Sequence, residues 1–140
     1  MEILDYYGVV CTGKRAVVIG RSLVVGRPAA MMLMERNATV TICHKRTRDL
    51  AAVCREADIL VCTAGKAGMV GAEYLREGQI ILDVGIHILG DGSMMGDVAK
   101  GAAEGIVRAY TPVPGGVGTV TSTVLAAHVA EAARRKLDGR

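Results

Sequence analysis

The chain has 140 residues, of which 51% are hydrophobic and 22% are charged, and its formal net charge at pH 7 is +3. This length and composition predict one folded domain with a single aliphatic core and exclude a disordered chain. The small net charge by itself does not argue for binding to nucleic acid or to a membrane. No apolar run reaches the length of a membrane span, and we expect a cytoplasmic location.

The first twelve residues are predicted to be the end of a helix and a turn. Glu2 to Tyr7 have helical composition, and Gly8 is a residue type that ends helices. So short a helix has few packing partners of its own. We therefore expect residues 1–12 to be the tail of a linker helix from a missing N-terminal domain, and residues 13–140 to form a dinucleotide-binding domain.

A strand, a glycine turn and a helix start follow in the stretch RAVVIGRSLVVGRP, which begins at Arg15. The β-branched run 16–19 predicts a buried strand. A helix start after a glycine turn suits a phosphate, because its N–H groups and dipole favour negative charge. The spacing G-x-S-x-x-x-G, from Gly20 through Ser22 to Gly26, departs from the usual G-x-G-x-x-G fingerprint. Spacing alone leaves open an ordinary strand–turn–helix connection.

The rest of the chain alternates short apolar strands with helical segments. Predicted strands are 39–43, 59–62, 80–84 and 106–107 with 109–110, and predicted helices are 29–36, 48–56, 72–76 and 119–136. Thr47 is expected to cap the helix that begins at Arg48, and Asp-Gly at 91–92 predicts a hairpin. The alternation predicts an α/β fold: a Rossmann-like, doubly wound, mostly parallel sheet with helices on both faces.

The sulfur-containing residues are expected to be structural. Met31, Met32 and Met34 form a methionine-rich stripe that predicts core packing. The four cysteines show no C-x-x-C spacing, so buried reduced thiols are favoured over a zinc site or disulfides. They are Cys11, Cys43, Cys54 and Cys62.

Ligands of an open parallel sheet bind beyond the carboxyl ends of its strands. The loops predicted to meet at that edge are rich in glycine, small hydroxyl residues or basic residues. They are 20–26, 44–48, 63–68, 85–87 and 111–118. Their coincidence at one edge is a stronger indication of a binding site than any one of them.

The end of the second predicted strand indicates which dinucleotide binds. An NAD site has a carboxylate there for the ribose hydroxyl, whereas a 2′-phosphate requires cations. The sequence offers His44, Lys45 and Arg46, with no carboxylate before Asp49, and Arg21 can reach the same phosphate. These residues favour NADP over NAD, and the alternative is a solvated basic turn.

The same edge shows no clear catalytic group. His87 follows the fourth predicted strand, and Asp83 and Asp97 are the carboxylates nearest the cleft, where either can cap or orient a loop. With three histidines, neither a Ser–His–Asp set nor a metal site can be assembled from the sequence. We therefore expect a binding site with no catalytic residue and no metal ligand in this chain.

Five motifs together resemble one family. GRSLVVGRP, TVTICHKRT, DILVCTAGKAG, ILDVGI and TPVPGGVGTVTSTVL are similar, in this order, to the NADP-binding domain of bifunctional methylenetetrahydrofolate dehydrogenase/methenyltetrahydrofolate cyclohydrolase. The resemblance runs from about Glu2 to about Arg135. It implies that a hydride passes from 5,10-methylenetetrahydrofolate to NADP, and that the methenyl product is hydrolysed to 10-formyltetrahydrofolate.

The resemblance, combined with the loops above, predicts the ligand-contacting residues. It implies that the first glycine loop holds the cofactor phosphates, that Lys45 lies near the 2′-phosphate and that the backbone of Ile86 touches the nicotinamide. Lys45 stands where the family pattern more often has Ser, and Thr119-Val120 replaces its Pro-Met. The predicted cofactor-binding residues are Gly20, Arg21, Ser22, Gly26, His44, Lys45, Arg46, Thr63, Gly65, Ile86 and Thr121, and Pro114, Gly115 and Gly116 are predicted to border the folate.

A further departure concerns catalysis. Family members carry an N-terminal folate-binding domain in which a Tyr and a Lys, four residues apart, perform the acid–base and cyclohydrolase chemistry. None of Tyr6, Tyr7, Tyr74 and Tyr110 is followed by Lys at that spacing. We therefore expect a domain fragment or one part of a split enzyme, inactive alone, that meets tetrahydrofolate through the missing domain and forms a homodimer.

Two alternatives differ from this interpretation. The first is a stand-alone module that binds or senses NADP without catalysis. The second is the NADP domain of another oxidoreductase, such as one resembling shikimate dehydrogenase, although the TPVPGGVG loop at 111–118 argues against it.

Overall fold

A parallel five-stranded sheet organises the chain. The computed structural model describes residues 1–139. Its strands are β1 (Arg15–Ile19), β2 (Thr39–Cys43), β3 (Ile59–Cys62), β4 (Ile80–Asp83), β5 (His87–Ile88), β6 (Met94–Met95) and β7 (Ala109–Tyr110), and its α-helices are α1 (Glu2–Tyr6), α2 (Gly26–Glu35), α3 (Leu50–Arg55) and α4 (Val117–Leu137). The sheet order is β2-β1-β3-β4-β7, and β5 pairs with β6 in an antiparallel hairpin.

The strand order positions the site. All four pairings of the main sheet are parallel, so the carboxyl ends of its strands meet at one edge. Both β2 and β3 pair with β1, so the direction of winding reverses at β1 and β3. In such sheets the crevice at this reversal binds the ligand.

Alternating side chains of the central strands enter two separate cores. Val17 and Ile19 pack on the face that α3 covers, whereas Ala16 and Val18 pack on the face that α1 and α2 cover. β3 is buried along its whole length, as expected for a continuous apolar strand inside a parallel sheet. The predicted fold class, with helices on both faces, is confirmed.

Two helix predictions after β2 and β3 are wrong in their bounds, although the structure has a helix at both places. α3 begins at Leu50 rather than Arg48, and Asp49 precedes it in the left-handed conformation. Thr47 does not cap this helix, because its hydroxyl accepts a hydrogen bond from the His44 N–H at 2.9 Å and closes a turn after β2. The predicted helix 72–76 is only a short 3₁₀ helix, Ala72–Tyr74.

The methionine prediction is also wrong. Met31, Met32 and Met34 are 55%, 42% and 47% exposed, whereas Ala30 and Leu33 carry the contact with the core. Positions three and four apart share one face of a helix, so nearly consecutive residues cannot all face the same core.

The prediction for the cysteines is confirmed, since all four are buried free thiols. Burial raises the pKa of Cys54 to about 12, so this thiol stays protonated.

The terminal helices differ in how they pack. α1 inserts Leu4, which is 1% exposed, into the core. α4 runs for 21 residues without a buried residue, and its Leu125 and Val129 are 64% and 62% exposed. Among the helices of residues 1–139, none combines the length and apolar character needed to cross a membrane.

Candidate functional site

The loop between β1 and α2 is held tightly against the loop after β3. A Cβ at Gly20, which has φ +123°, would overlap the carbonyl and hydroxyl oxygens of Thr63, and a Cβ at Gly26 would overlap the Gly20 carbonyl. Thr63 adds a hydrogen bond from its hydroxyl to the Ile19 carbonyl at 2.8 Å. Both loop positions therefore require glycine, and the close approach brings two predicted cofactor loops together.

Ser22 organises the start of α2. Its Oγ accepts hydrogen bonds from the N–H groups of Val25 at 3.1 Å and Gly26 at 3.2 Å. Because these bonds use the acceptor positions of the hydroxyl, Ser22 can meet a ligand oxygen only as a donor. The ten-residue helix behind it presents its positive dipole end to the same space.

The basic loop after β2 lies beside the loop after β1. Ile19 and Cys43 are in register at the ends of β1 and β2, and the Gly20 N–H donates to the Cys43 carbonyl at 2.9 Å. Arg21 and Lys45 therefore follow neighbouring strand ends. We call Arg21, Lys45, Arg46 and Arg48 the basic side; all four are exposed, and none forms an ion pair within residues 1–139.

His44 shapes the turn of the basic side. Its Nδ1 accepts a hydrogen bond from the Arg46 N–H at 3.2 Å. The ring therefore carries its proton on Nε2, and that nitrogen can donate to a ligand.

Two buried carboxylates organise the loops after β3 and β4. Asp97 is fully buried and accepts hydrogen bonds from three successive N–H groups, Ala64 to Lys66, and from His87. Asp83, which is 4% exposed, accepts from the N–H groups of Gly85, Asp97 and Val98. Burial raises the pKa of Asp83, and these N–H groups oppose that shift. We call Asp83, Asp97 and His87 the carboxylate side.

The proline–glycine loop borders the carboxylate side. The Asp83 N–H donates to Thr111 Oγ1 at 2.8 Å. A cavity of about 170 Å³ lies between this loop and the hairpin. Its lining includes Asp83, Ile86, Met94, Pro114, Gly115, Gly116 and Thr119.

The hydroxyl of Thr121 is less available to a ligand than the sequence suggests. Its hydroxyl donates back into its own helix, toward the carbonyls of Val117 at 2.8 Å and Gly118 at 3.0 Å. Ile86, in contrast, is 55% exposed at the start of the hairpin segment.

The predicted site residues are arranged along an open edge rather than in one closed pocket. The larger cavity, about 640 Å³, lies between α1, β7 and the proline–glycine loop, away from the basic side. Its lining includes Ile3, Tyr7, Ile81, Tyr110, Pro112, Gly115, Gly116 and Val120. Of the predicted folate-bordering residues, Gly115 and Gly116 line both cavities.

The sequence placed Asp83, Asp97 and His87 near the cleft and allowed either carboxylate to orient a loop, which the structure confirms, but it did not show which loops they hold. The only signal for them was their position beyond a strand end, because their partners lie up to 33 residues away. Within residues 1–139 there is no group of three or more His, Cys, Asp or Glu side chains arranged to hold a metal ion.

The comparisons with known proteins agree on one family. Residues 1–137 match the family model described as tetrahydrofolate dehydrogenase/cyclohydrolase, NAD(P)-binding domain. The bifunctional protein FolD of Carboxydothermus hydrogenoformans is 56% identical over 134 residues, which are 94% of this chain and 47% of that protein. The chain thus spans about half the length of the curated relatives it matches.

Solved structures show the same correspondence. The FolD methylenetetrahydrofolate dehydrogenase/cyclohydrolase of Campylobacter jejuni superposes with a TM-score of 0.93 and 39% identity over 97% of this chain and 48% of that one. The Trypanosoma brucei enzyme, complexed with NADP cofactor and inhibitor, gives a TM-score of 0.91 and 37% identity over 98% of this chain and 49% of that one.

Proposed function

The chain belongs to the NAD(P)-binding domain family of tetrahydrofolate dehydrogenase/cyclohydrolase, and from this premise we propose that it is the NADP-binding half of a bifunctional enzyme. That enzyme oxidises 5,10-methylenetetrahydrofolate with NADP and hydrolyses the methenyl product to 10-formyltetrahydrofolate. The match to about half the length of its relatives, and the NADP complex of the Trypanosoma brucei relative, support this proposal.

The observation that carries the choice of NADP is the basic side. Four exposed cations without ion-pair partners in residues 1–139 lie on the loops after β1 and β2, and no carboxylate precedes Asp49 there. A 2′-phosphate can bind such cations through charge-assisted hydrogen bonds, which a ribose hydroxyl cannot match. The close approach of Gly20 to Thr63 also brings the loop after β1 against the loop after β3, at the edge of the sheet where such folds bind a dinucleotide.

The role of the chain in the reaction is to bind and orient. Bound NADP supplies the hydride acceptor. Gly20 and Ser22 hold its pyrophosphate, Arg21 binds its 2′-phosphate, and Ile86 meets its nicotinamide end. The side chains that supply acid–base catalysis, including for the attack of water on the methenyl bridge, come from the folate-binding half. The exposed apolar residues Tyr7 on the α1 side and Leu125 on α4 provide a surface on which that half can pack.

A binding titration combined with an activity assay tests this proposal. We expect calorimetry to show that the purified chain binds NADP at least about tenfold more tightly than NAD, which corresponds to about 1.4 kcal/mol. Alone, the chain should not reduce NADP with 5,10-methylenetetrahydrofolate. Adding the folate-binding half of a close relative should restore NADPH formation. Equal affinity for NAD and NADP contradicts the proposal, and NADP binding without restored activity favours a stand-alone binding module.

We also propose that the chain forms a homodimer through the edge of its sheet. β2 is an edge strand in which Thr39, Thr41 and Ile42 are exposed, and such an edge offers unpaired backbone groups to a second copy. Light scattering should report a dimer, and Ile42→Lys should shift it toward the monomer, whereas Val129→Lys on α4 should not. A monomeric unaltered chain would contradict this assembly.

The four free thiols support a reducing compartment such as the cytoplasm.

A further inference from the structure

The carboxylate side has a role that the phosphate-binding loops do not share. We propose that Asp97 is a positioning residue, which fixes the loop after β3 and the start of the β5–β6 hairpin so that their backbones fit the nicotinamide half of NADP. This inference rests on the proposed function. It concerns one end of the dinucleotide only.

Every acceptor position of Asp97 is used. Its Oδ2 accepts from the N–H groups of Ala64 at 2.5 Å and Gly65 at 3.1 Å, and its Oδ1 accepts from the Lys66 N–H at 3.0 Å and His87 Nε2 at 2.8 Å. A carboxylate offers about four acceptor positions, and here each has a donor. One side chain therefore fixes three consecutive residues of the loop after β3 and the first residue of β5.

Asp97 is itself held by Asp83. The Asp97 N–H donates to Asp83 Oδ1 at 3.0 Å, and the Val98 N–H donates to Asp83 Oδ2 at 2.9 Å. Gly85 closes the arrangement, since a Cβ there would lie 2.5 Å from Asp97 Oδ1. The strand end of β4, the end of the hairpin and the loop after β3 thus form one hydrogen-bonded unit.

This unit lies where the second nucleoside of a dinucleotide binds. The crevice of a doubly wound sheet crosses the reversal between β1 and β3, so a ligand whose adenosine phosphate meets the basic side at β2 extends over β3 and β4. The loops that Asp97 holds follow β3 and β4, and they contain Gly65 and Ile86, two of the predicted contacts. Asp97 is fully buried, so it acts through the backbone of these loops rather than on the ligand.

The variant Asp97→Asn tests the two ends of the ligand-binding site independently. Whichever carboxylate oxygen is replaced by the amide NH2 group, two donors lose their acceptor and face another donor instead. NADP contacts both ends of the site, whereas 2′,5′-ADP carries only the adenosine end. We expect calorimetry to show that Asp97→Asn weakens NADP binding at least about tenfold and changes 2′,5′-ADP binding less than about twofold.

The hairpin supplies a matched control. Asp91 is an exposed carboxylate that accepts from the N–H and hydroxyl of Ser93 within the hairpin turn. Asp91→Asn makes the same chemical change without touching the loop after β3, and it should leave the affinities for both ligands unchanged. An equal loss of both ligands in Asp97→Asn, or no loss of either, would overturn the inference.

His87 provides a second pair of variants in case Asp97→Asn does not fold. His87→Ala removes one of the four donors and should weaken NADP binding about threefold without affecting 2′,5′-ADP. His87→Gln retains a side-chain N–H donor and should restore most of that loss. In His87→Ala, the amide hydrogens of Ala64 to Lys66 should also exchange faster than in the unaltered chain. If His87→Ala changes neither the exchange of these amide hydrogens nor the NADP affinity, the inference is overturned.

The failure of the proposed function would have a different signature. If the unaltered chain binds neither NADP nor 2′,5′-ADP, the proposed function is wrong and the inference falls with it. If the unaltered chain binds both ligands and the variants lose them equally, only the inference about Asp97 is wrong.

Discussion

The basic side and the carboxylate side lie at the same edge of the sheet but are built in opposite ways. The cations Arg21, Lys45 and Arg46 are exposed and have no ion-pair partner within residues 1–139. Asp83 and Asp97 are buried, and backbone N–H groups surround both. One side therefore keeps its charges available to a ligand, whereas the other uses its charges inside the protein.

The two sides therefore contribute to ligand binding in different ways, one through direct contacts and the other through the geometry of the backbone. Exposed cations gain their interaction only when a phosphate arrives, so they contribute directly to binding and are sensitive to salt. Buried carboxylates have already formed their hydrogen bonds, so they contribute by fixing the backbone before the ligand binds. The changes below break or sharpen this comparison, from the largest expected effect to the smallest.

Substitution at the contact between the loop after β1 and the loop after β3, which joins the two sides, should have the largest effect. In Gly20→Ala the new Cβ would overlap Thr63 at a φ of +123°, so we expect a loss of at least about 3 kcal/mol in the free energy of unfolding. Gly13→Ala is the matched control, because Gly13 also has positive φ, +73°, but nothing lies within 4 Å of a Cβ there. The control should lose about 1 to 2 kcal/mol. Equal losses in urea unfolding would contradict the close packing of the two loops.

Substitution on the basic side should change affinity and leave the fold intact. Arg21→Ala should weaken NADP binding at least about tenfold, or about 1.4 kcal/mol, and leave NAD binding nearly unchanged, because NAD has no 2′-phosphate. Arg108→Ala is a suitable control, since Arg108 is an exposed cation that precedes β7 at the opposite edge of the sheet. Calorimetry measures all four affinities. A similar loss of NADP affinity in the control would show that only net charge matters.

Substitution of Asp58, a carboxylate that precedes β3 at the opposite edge of the sheet, should have the smallest effect on stability. Its pKa is lowered, whereas that of Asp83 is raised. Hydrogen bonds from the Arg15 N–H and from Arg76 hold the pKa of Asp58 below its usual value. The stabilisation by ionised Asp58 is therefore present near neutral pH and is lost as the pH falls through its lowered pKa. Asp58→Asn should destabilise the protein near neutral pH by about 0.5 to 1 kcal/mol, a value reduced for the partial exposure of this side chain.

The pH dependence of urea unfolding checks this prediction. The difference in stability between Asp58→Asn and the unaltered chain should shrink as the pH falls below about 4, since protonated Asp58 resembles the amide. A difference that does not depend on pH would contradict the assigned pKa shift.

The sequence was sufficient to predict features that depend on local pattern. The β-branched run of β1 predicted a buried strand and the apolar run of β3 predicted a strand, and the structure confirms both. Features that depend on distant partners were not predictable. Thr47 was a local error, since its hydroxyl bonds to His44 three residues away rather than capping a helix. Asp97, in contrast, bonds to residues 31 to 33 positions away. No local pattern encodes such contacts, because the tertiary fold creates them.

The salt dependence of cofactor selection tests the central claim most directly. The Kd values of the purified chain for NADP and NAD would be measured by calorimetry at about 50 mM and about 500 mM salt, which span weak and strong screening. If exposed cations select the 2′-phosphate, NADP should bind at least about tenfold more tightly at low salt, and this preference should shrink at high salt. Equal affinities for the two dinucleotides at low salt would contradict the account.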